Sequence, residues 1–174
     1  MKFLIFVSPK DFKDETLSSV KLFLERWDLD YKISSYTSGS AHGLHGDIAD
    51  IDVNTNIVTT SDYDGIILID GQGIDEYKLY EFRPLLDIIT LFNEAKKIII
   101  AFGNSTSIIA RANIITDKKI STLESDPNTV RFVKLFHGII SSKDIEISDN
   151  IITVKDSNKT DELFDKILEN LNIE

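Results

Sequence analysis

Short, wholly apolar runs alternate with amphipathic segments along this chain, and that alternation restricts the fold more than any other feature. Phe3 to Val7, Ile66 to Ile69 and Ile98 to Phe102 are continuous apolar runs. A strand apolar on both faces must be covered on both, as in a parallel sheet. Tyr31 to Tyr36 reads as a further strand. Between these runs, Glu15 to Trp27 places Leu17, Val20, Leu24 and Trp27 at helical spacing. Tyr77 to Ala95 predicts a long helix, in which Pro84 marks a kink or a late start. Thr106 to Ala112 and Asn128 to Leu135 predict shorter helices, and Ile120 to Leu123 a strand. Ile145 to Ile147 and Ile151 to Val154 flank Ser148-Asp149-Asn150, which is a hairpin signal. Asp161 to Leu171 predicts a closing helix with Thr160 as its N-cap. Ser38 to Thr60 is the least regular stretch, expected to form a small excursion. Strands alternating with helices predict an α/β protein with a mostly parallel central sheet and helices on both faces. The 174 residues are expected to form one domain.

Charge narrows the partners. Nineteen Lys and Arg against twenty-nine Asp and Glu give a net charge of −10. No basic stripe escapes this average, so nucleic acid is not an expected partner. No apolar stretch approaches the roughly 20 residues that cross a bilayer. The apolar start Met1 to Val7 is short and runs into Ser8-Pro9-Lys10-Asp11 without a small-residue cleavage site. A cytoplasmic protein that does not engage membranes is the expectation. The chain contains no cysteine, which excludes disulfides, thiolate metal sites and any cysteine nucleophile.

In a doubly wound sheet, ligands sit beyond the carboxyl ends of the strands, so the strand-exit loops carry the candidates. The first is Ser8 to Thr16, where Glu15 or Asp14 either faces a pocket or complements a helix dipole. The second is Asp70-Gly71-Gln72-Gly73. A dinucleotide fingerprint would need a third glycine where Glu76 stands, so the glycines are read as a tight turn bringing backbone N–H groups to a pocket. The third is Gly103-Asn104-Ser105-Thr106, between the most apolar strand and a short helix. Such a turn displays its apex side chain beside helix N–H groups that can hold an oxyanion or another anion. Here the apex is glycine, and Ser105, Thr106 and Ser107 read as caps. His42 and His45 lie in a glycine-rich loop with only Asp47 and Asp50 as nearby ligands, and His137-Gly138 reads as a helix end. No metal site and no cofactor is expected.

Taken together, these segments resemble the ThiJ/PfpI superfamily over nearly the whole chain. Tyr63-Asp64-Gly65-Ile66-Ile67-Leu68-Ile69-Asp70-Gly71 is similar to its Y-D-a-l-v-l-P-G-G stretch. Ala101-Phe102-Gly103-Asn104-Ser105, followed by Ile109-Ala110-Arg111-Ala112-Asn113, resembles A-I-C-H-G and then L-A-x-A-G. Asp149 to Thr153 is similar to its D-G-N-x-I-T hairpin. The resemblance implies a flavodoxin-like three-layer sandwich and assembly as a homodimer or larger homo-oligomer. It also implies a site, and there the chain departs from the family. The family's apex cysteine and following histidine correspond to Gly103 and Asn104. Its pocket glutamate aligns with Thr16, or with Glu15 if one residue is skipped. The first glycine of its G-G pair is Asp70, and a position that is histidine in some members is Leu123.

Two function classes follow. One is a non-catalytic binding or structural protein with a degenerate nucleophile site, in which Gly71, Gly73, Gly103, Asn104, Ser105 and Thr106 surround a small molecule or an anion. The other is a hydrolase or lyase using Asp70 or Glu15 as general base. A cysteine introduced by Gly103→Cys is expected to be exposed and reactive, because helix N–H groups lower a thiol pKa.

Overall fold

The computed structural model describes residues 1–171. Its strands are β1 (Lys2–Val7), β2 (Lys10–Phe12), β3 (Asp30–Ser35), β4 (Ser40–Gly43), β5 (Ile48–Asp50), β6 (Val53–Asn54), β7 (Gly65–Leu68), β8 (Ile98–Phe102), β9 (Lys119–Ile120), β10 (Ile139–Ile140), β11 (Ile145–Ser148) and β12 (Ile151–Val154). Its α-helices are α1 (Asp14–Arg26), α2 (Gly73–Glu76), α3 (Arg83–Glu94), α4 (Thr106–Arg111), α5 (Pro127–Leu135) and α6 (Thr160–Leu171). Seven strands form the main sheet in the order β11-β12-β8-β7-β1-β3-β6. Every pairing in it is parallel except the β11–β12 hairpin, where Asp149 takes the left-handed conformation at φ 55°.

The apolar runs are buried on both faces. Phe3, Ile5 and Val7 join Val20 and Leu24 of α1 and Leu163, Phe164 and Ile167 of α6 on one side. Phe23 and Phe164 stack between those two helices. Leu4 and Phe6 join Leu85, Ile89 and Phe92 of α3, Ile109 of α4 and Val133 of α5 on the other. This arrangement is the α/β sandwich expected from the alternation. The irregular stretch after β3 supplies β4 and β5, which with β2 form a small separate sheet, and β6 at the edge of the main one.

Three local expectations need correction. The long helix is interrupted: α2 and a single tight turn at Leu79–Glu81 precede α3, and Lys78 between them is left-handed at φ 47°. Pro84 accordingly lies in the first turn of α3, where its missing N–H costs no hydrogen bond. Thr160 does not cap α6, because its hydroxyl donates to Ser157 O. A tight turn over Ser157–Lys159, led by Asp156 accepting from Asn158 N, runs straight into that helix. Finally, the strand expected over Ile120 to Leu123 is reduced to Lys119–Ile120, paired with β10 outside the main sheet.

The strand order turns around between β1 and β7. Crossovers from β1 lead to β3 on one side and eventually to β7 and β8 on the other. The crevice beyond the ends of β1, β7 and β8 is thus where such a sheet offers a site.

Candidate functional site

Three loops meet in that crevice, and backbone contacts lace them together. Lys13 N donates to Asp70 O at 2.8 Å, and Phe12 bridges Gly71. Gly71 takes φ 147°, and an added Cβ would stand 2.4 Å from Asp11 O and 2.7 Å from Phe12 Cα. Only glycine permits that approach. Gly73 is similarly confined, with an added Cβ 2.0 Å from Lys10 O.

Thr16 and Glu15 part company at the start of α1. Thr16 is fully buried, and its hydroxyl donates to Asp70 Oδ1 at 2.7 Å. Glu15 turns to the surface, where Oε1 lies 3.7 Å from His45 Nε2. Helical rotation of about 100° per residue separates the two positions. Thr16 therefore holds the inward place left open between them by the sequence. Asp14 is buried as well; Oδ2 accepts from His45 N, while Oδ1 has no hydrogen-bond partner and packs over Gly43, where a Cβ would collide with it.

Asp70 is the centre of the arrangement. It is 5% exposed, and burial pushes its carboxyl above the usual carboxylate range. The Thr16 hydrogen bond and the Lys13 charge pull the other way without overcoming burial. Gly103 lies directly beside it at φ 47°, and an added Cβ there would be 2.7 Å from Asp70 Oδ2. A cysteine at 103 would therefore not stand free as expected; it meets the carboxyl first.

Asn104 clamps the neighbouring turn. Its Oδ1 accepts from Gly71 N at 3.0 Å and its Nδ2 donates to Gly71 O at 2.8 Å. One side-chain amide thus satisfies both polar groups of one residue's backbone, a match available only to Asn or Gln. Ser105, Thr106 and Ser107 turn their hydroxyls inward to the carbonyls of Phe102, Gly103 and Asn104. They cap no helix N–H group.

A cleft of about 660 Å³ opens over this centre. Asp70, Gly71 and Asn104 line it, with Lys13 and Glu15 from the first loop and Leu44 and His45 from the loop after β4. Asp75 and Glu76 of α2 and Leu123, Asp126 and Pro127 before and at the start of α5 complete the wall. Gly73, Gly103, Ser105 and Thr106 do not reach the lining. Sequence reasoning passed over Asp75 and Asp126, which local pattern does not connect. Burial and the opposing Asp126 raise the Asp75 carboxyl, while an Asn128 hydrogen bond lowers it. Among the described residues, no group of three or more His, Asp or Glu is arranged to hold a metal ion. No helix among them is long and apolar enough to cross a membrane.

A parallel sheet sandwiched by helices, with a glycine apex beyond one strand and an acid beside it, defines an α/β protein built around a strand-to-helix elbow. The particular lineage is equally clear. Residues 1–170 match the DJ-1/PfpI family, and the chain belongs to it. An uncharacterized protein of Methanocaldococcus jannaschii is 29% identical over 154 residues, covering 88% of this chain and 74% of that one. The crystal structure of a ThiJ/PfpI domain protein from Brachyspira murdochii superposes with a TM-score of 0.87 at 26% identity, over 98% of this chain and 96% of the other. Drosophila melanogaster DJ-1beta shares the fold with a TM-score of 0.83 at 16% identity, covering 98% and 89%.

Proposed function

We propose that this DJ-1/PfpI protein is a non-catalytic member that binds a small molecule in the cleft over Asp70, Gly71 and Asn104. The observation that carries this reading is the contact between Gly103 and Asp70. A carboxyl occupies the space that any apex side chain would need, with Oδ2 only 2.7 Å from the missing Cβ. The hydroxyls of Ser105, Thr106 and Ser107 after the apex donate to backbone carbonyls, so none of these three is paired with a base that could activate it. Assembly as a homo-oligomer and a cytoplasmic location belong to the same reading, and light scattering at micromolar concentration tests the first of them.

A second reading keeps chemistry at the site. Asp70 is buried, lines the cleft and has its carboxyl raised by burial, which suits the general base of a hydrolase or lyase. Glu15 is a poor partner for it, being half-exposed and facing His45. Hydrolysis of p-nitrophenyl acetate and of a peptide amide by wild type and Asp70→Asn separates the readings. The binding reading expects identical background rates. Turnover above background that Asp70→Asn abolishes would replace it with the acid–base reading.

A further inference from the structure

We infer that the cleft is built for a small organic cation, a primary amine or guanidinium on an apolar stem, whose charged end sits against Asp70. The inference rests on the binding reading above and names its ligand class. Three observations support it.

The first is Asp70 itself. It is 5% exposed yet lines the cleft, and the Thr16 hydroxyl on Oδ1 is its one side-chain donor among the described residues. Oδ2 receives no side-chain donor. The backbone supplies a further hydrogen bond to this carboxyl, and a ligand N–H is another donor that can reach Asp70 from the cleft it lines.

The second is the sign of the surroundings. Glu15, Asp75, Glu76 and Asp126 share the lining with Asp70, while Lys13 and His45 are the basic side chains there. Both of these already face acids: Lys13 Nζ lies 3.2 Å from Asp156 Oδ1, and His45 faces Glu15. A further acid, Asp11, raises the Glu76 carboxyl. A concave surface lined by one sign of charge concentrates the opposite ion. An anion, the other kind of ligand that the sequence left open, meets repulsion here instead.

The third is the remainder of the wall. Leu44, Leu123 and Pro127 give it an apolar portion, and no metal-ligating group of three is present among the described residues. Together these favour an organic cation over a bare metal ion.

The test titrates the intact protein with benzylamine, benzyl alcohol and benzoate, three ligands of one shape and different charge, followed by amide chemical shifts at low salt. Benzylamine is expected to perturb Gly71 and Asn104 and to bind at least tenfold tighter than benzyl alcohol, with benzoate weakest. Asp70→Asn should weaken benzylamine at least tenfold. Asp87→Asn makes the same charge change on α3, away from the cleft, and should leave binding unchanged. Glu76→Gln, on the rim, gives a second reading should Asp70→Asn misfold, with a loss of about threefold expected for a half-solvated acid. Benzyl alcohol or benzoate binding at the cleft as tightly as benzylamine would overturn the cation while keeping the binding reading. Equal losses from the Asp70 and Asp87 variants would reduce the effect to bulk charge and also overturn it. No cleft response to any of the three would overturn both.

Discussion

The turns after β7 and β8 lie side by side, each is opened by a glycine or its neighbour in an unusual conformation, and each is closed for a different reason. At Gly71 the obstacles to a side chain are backbone: Asp11 O, Phe12 Cα and Lys13 N. At Gly103 the nearest obstacles all belong to one side chain, that of Asp70. The first turn is wedged by the fold, the second by a single replaceable residue. The two positions are tied to each other: with an acid at 70, glycine is the residue that fits at 103.

The largest expected effect tests the backbone wedge. Gly71→Ala should cost about 3 kcal/mol or more in urea unfolding, combining left-side φ strain with overpacking. No substitution at Asp70 should recover it, and recovery would erase the distinction between the turns. Next, Gly103→Ala should cost about 2 kcal/mol from the same two sources. Here Asp70→Ala in the same chain should return about half, read as a coupling energy in a double-mutant cycle. Strict additivity would show that the two residues are independent. A smaller loss, on the order of 1.5 kcal/mol, is expected for Asn104→Ala, which leaves the Gly71 N–H and C=O without their side-chain partner. Amide exchange at Gly71 should quicken in that variant, and unchanged protection would mean that the clamp holds nothing.

The smallest effect is a slope. Because burial raises the Asp70 carboxyl, the native state keeps a proton that the unfolded chain gives up. The stabilisation linked to this group is complete below the ordinary carboxylate pKa and is lost as pH rises through the raised, folded value. The loss is at most about 1.4 kcal/mol per pH unit. Asp70→Asn should remove that decline, so the stability difference between wild type and variant should change across the window. Asp149 and Glu162, whose carboxyls are lowered chiefly by Lys118 and Lys166, contribute with opposite sign but equally in both proteins. A difference constant with pH would mean that Asp70 titrates as it does in the unfolded chain.

The fold was legible because burial on two faces leaves unbroken apolar runs, as in Phe3 to Val7 and Ile98 to Phe102. The α3 boundary was less so, since the left-handed Lys78 has no signature a helical period would reveal. The site was half legible. Glycines and acids after strands marked the turns that meet in the crevice, and the resemblance supplied the expectation that Gly103 and Asn104 stand where the family has cysteine and histidine. Which of Glu15 and Thr16 faces inward depends on where α1 begins relative to β2, a matter of one residue. That Asn104 answers Gly71, and that Asp126 faces Asp75, depends on pairings between distant segments that no local pattern records.

The strand order has a consequence for how quickly this molecule assembles. β1 sits between β3 and β7, with Phe3 opposite Gly65, and β8 waits for β12, with Ile99 opposite Ile151. Each of these parallel pairings needs a long crossover to close before any ladder bond rewards it. The turns that hold Asp70 and Gly103 lie at the far ends of those ladders, so they are shaped only after the crossovers have closed. Refolding on the millisecond-to-second scale of chains rich in non-local pairings follows. Protection of the Gly71 and Asn104 amides should then lag behind that of α1 and α3, whose contacts are local.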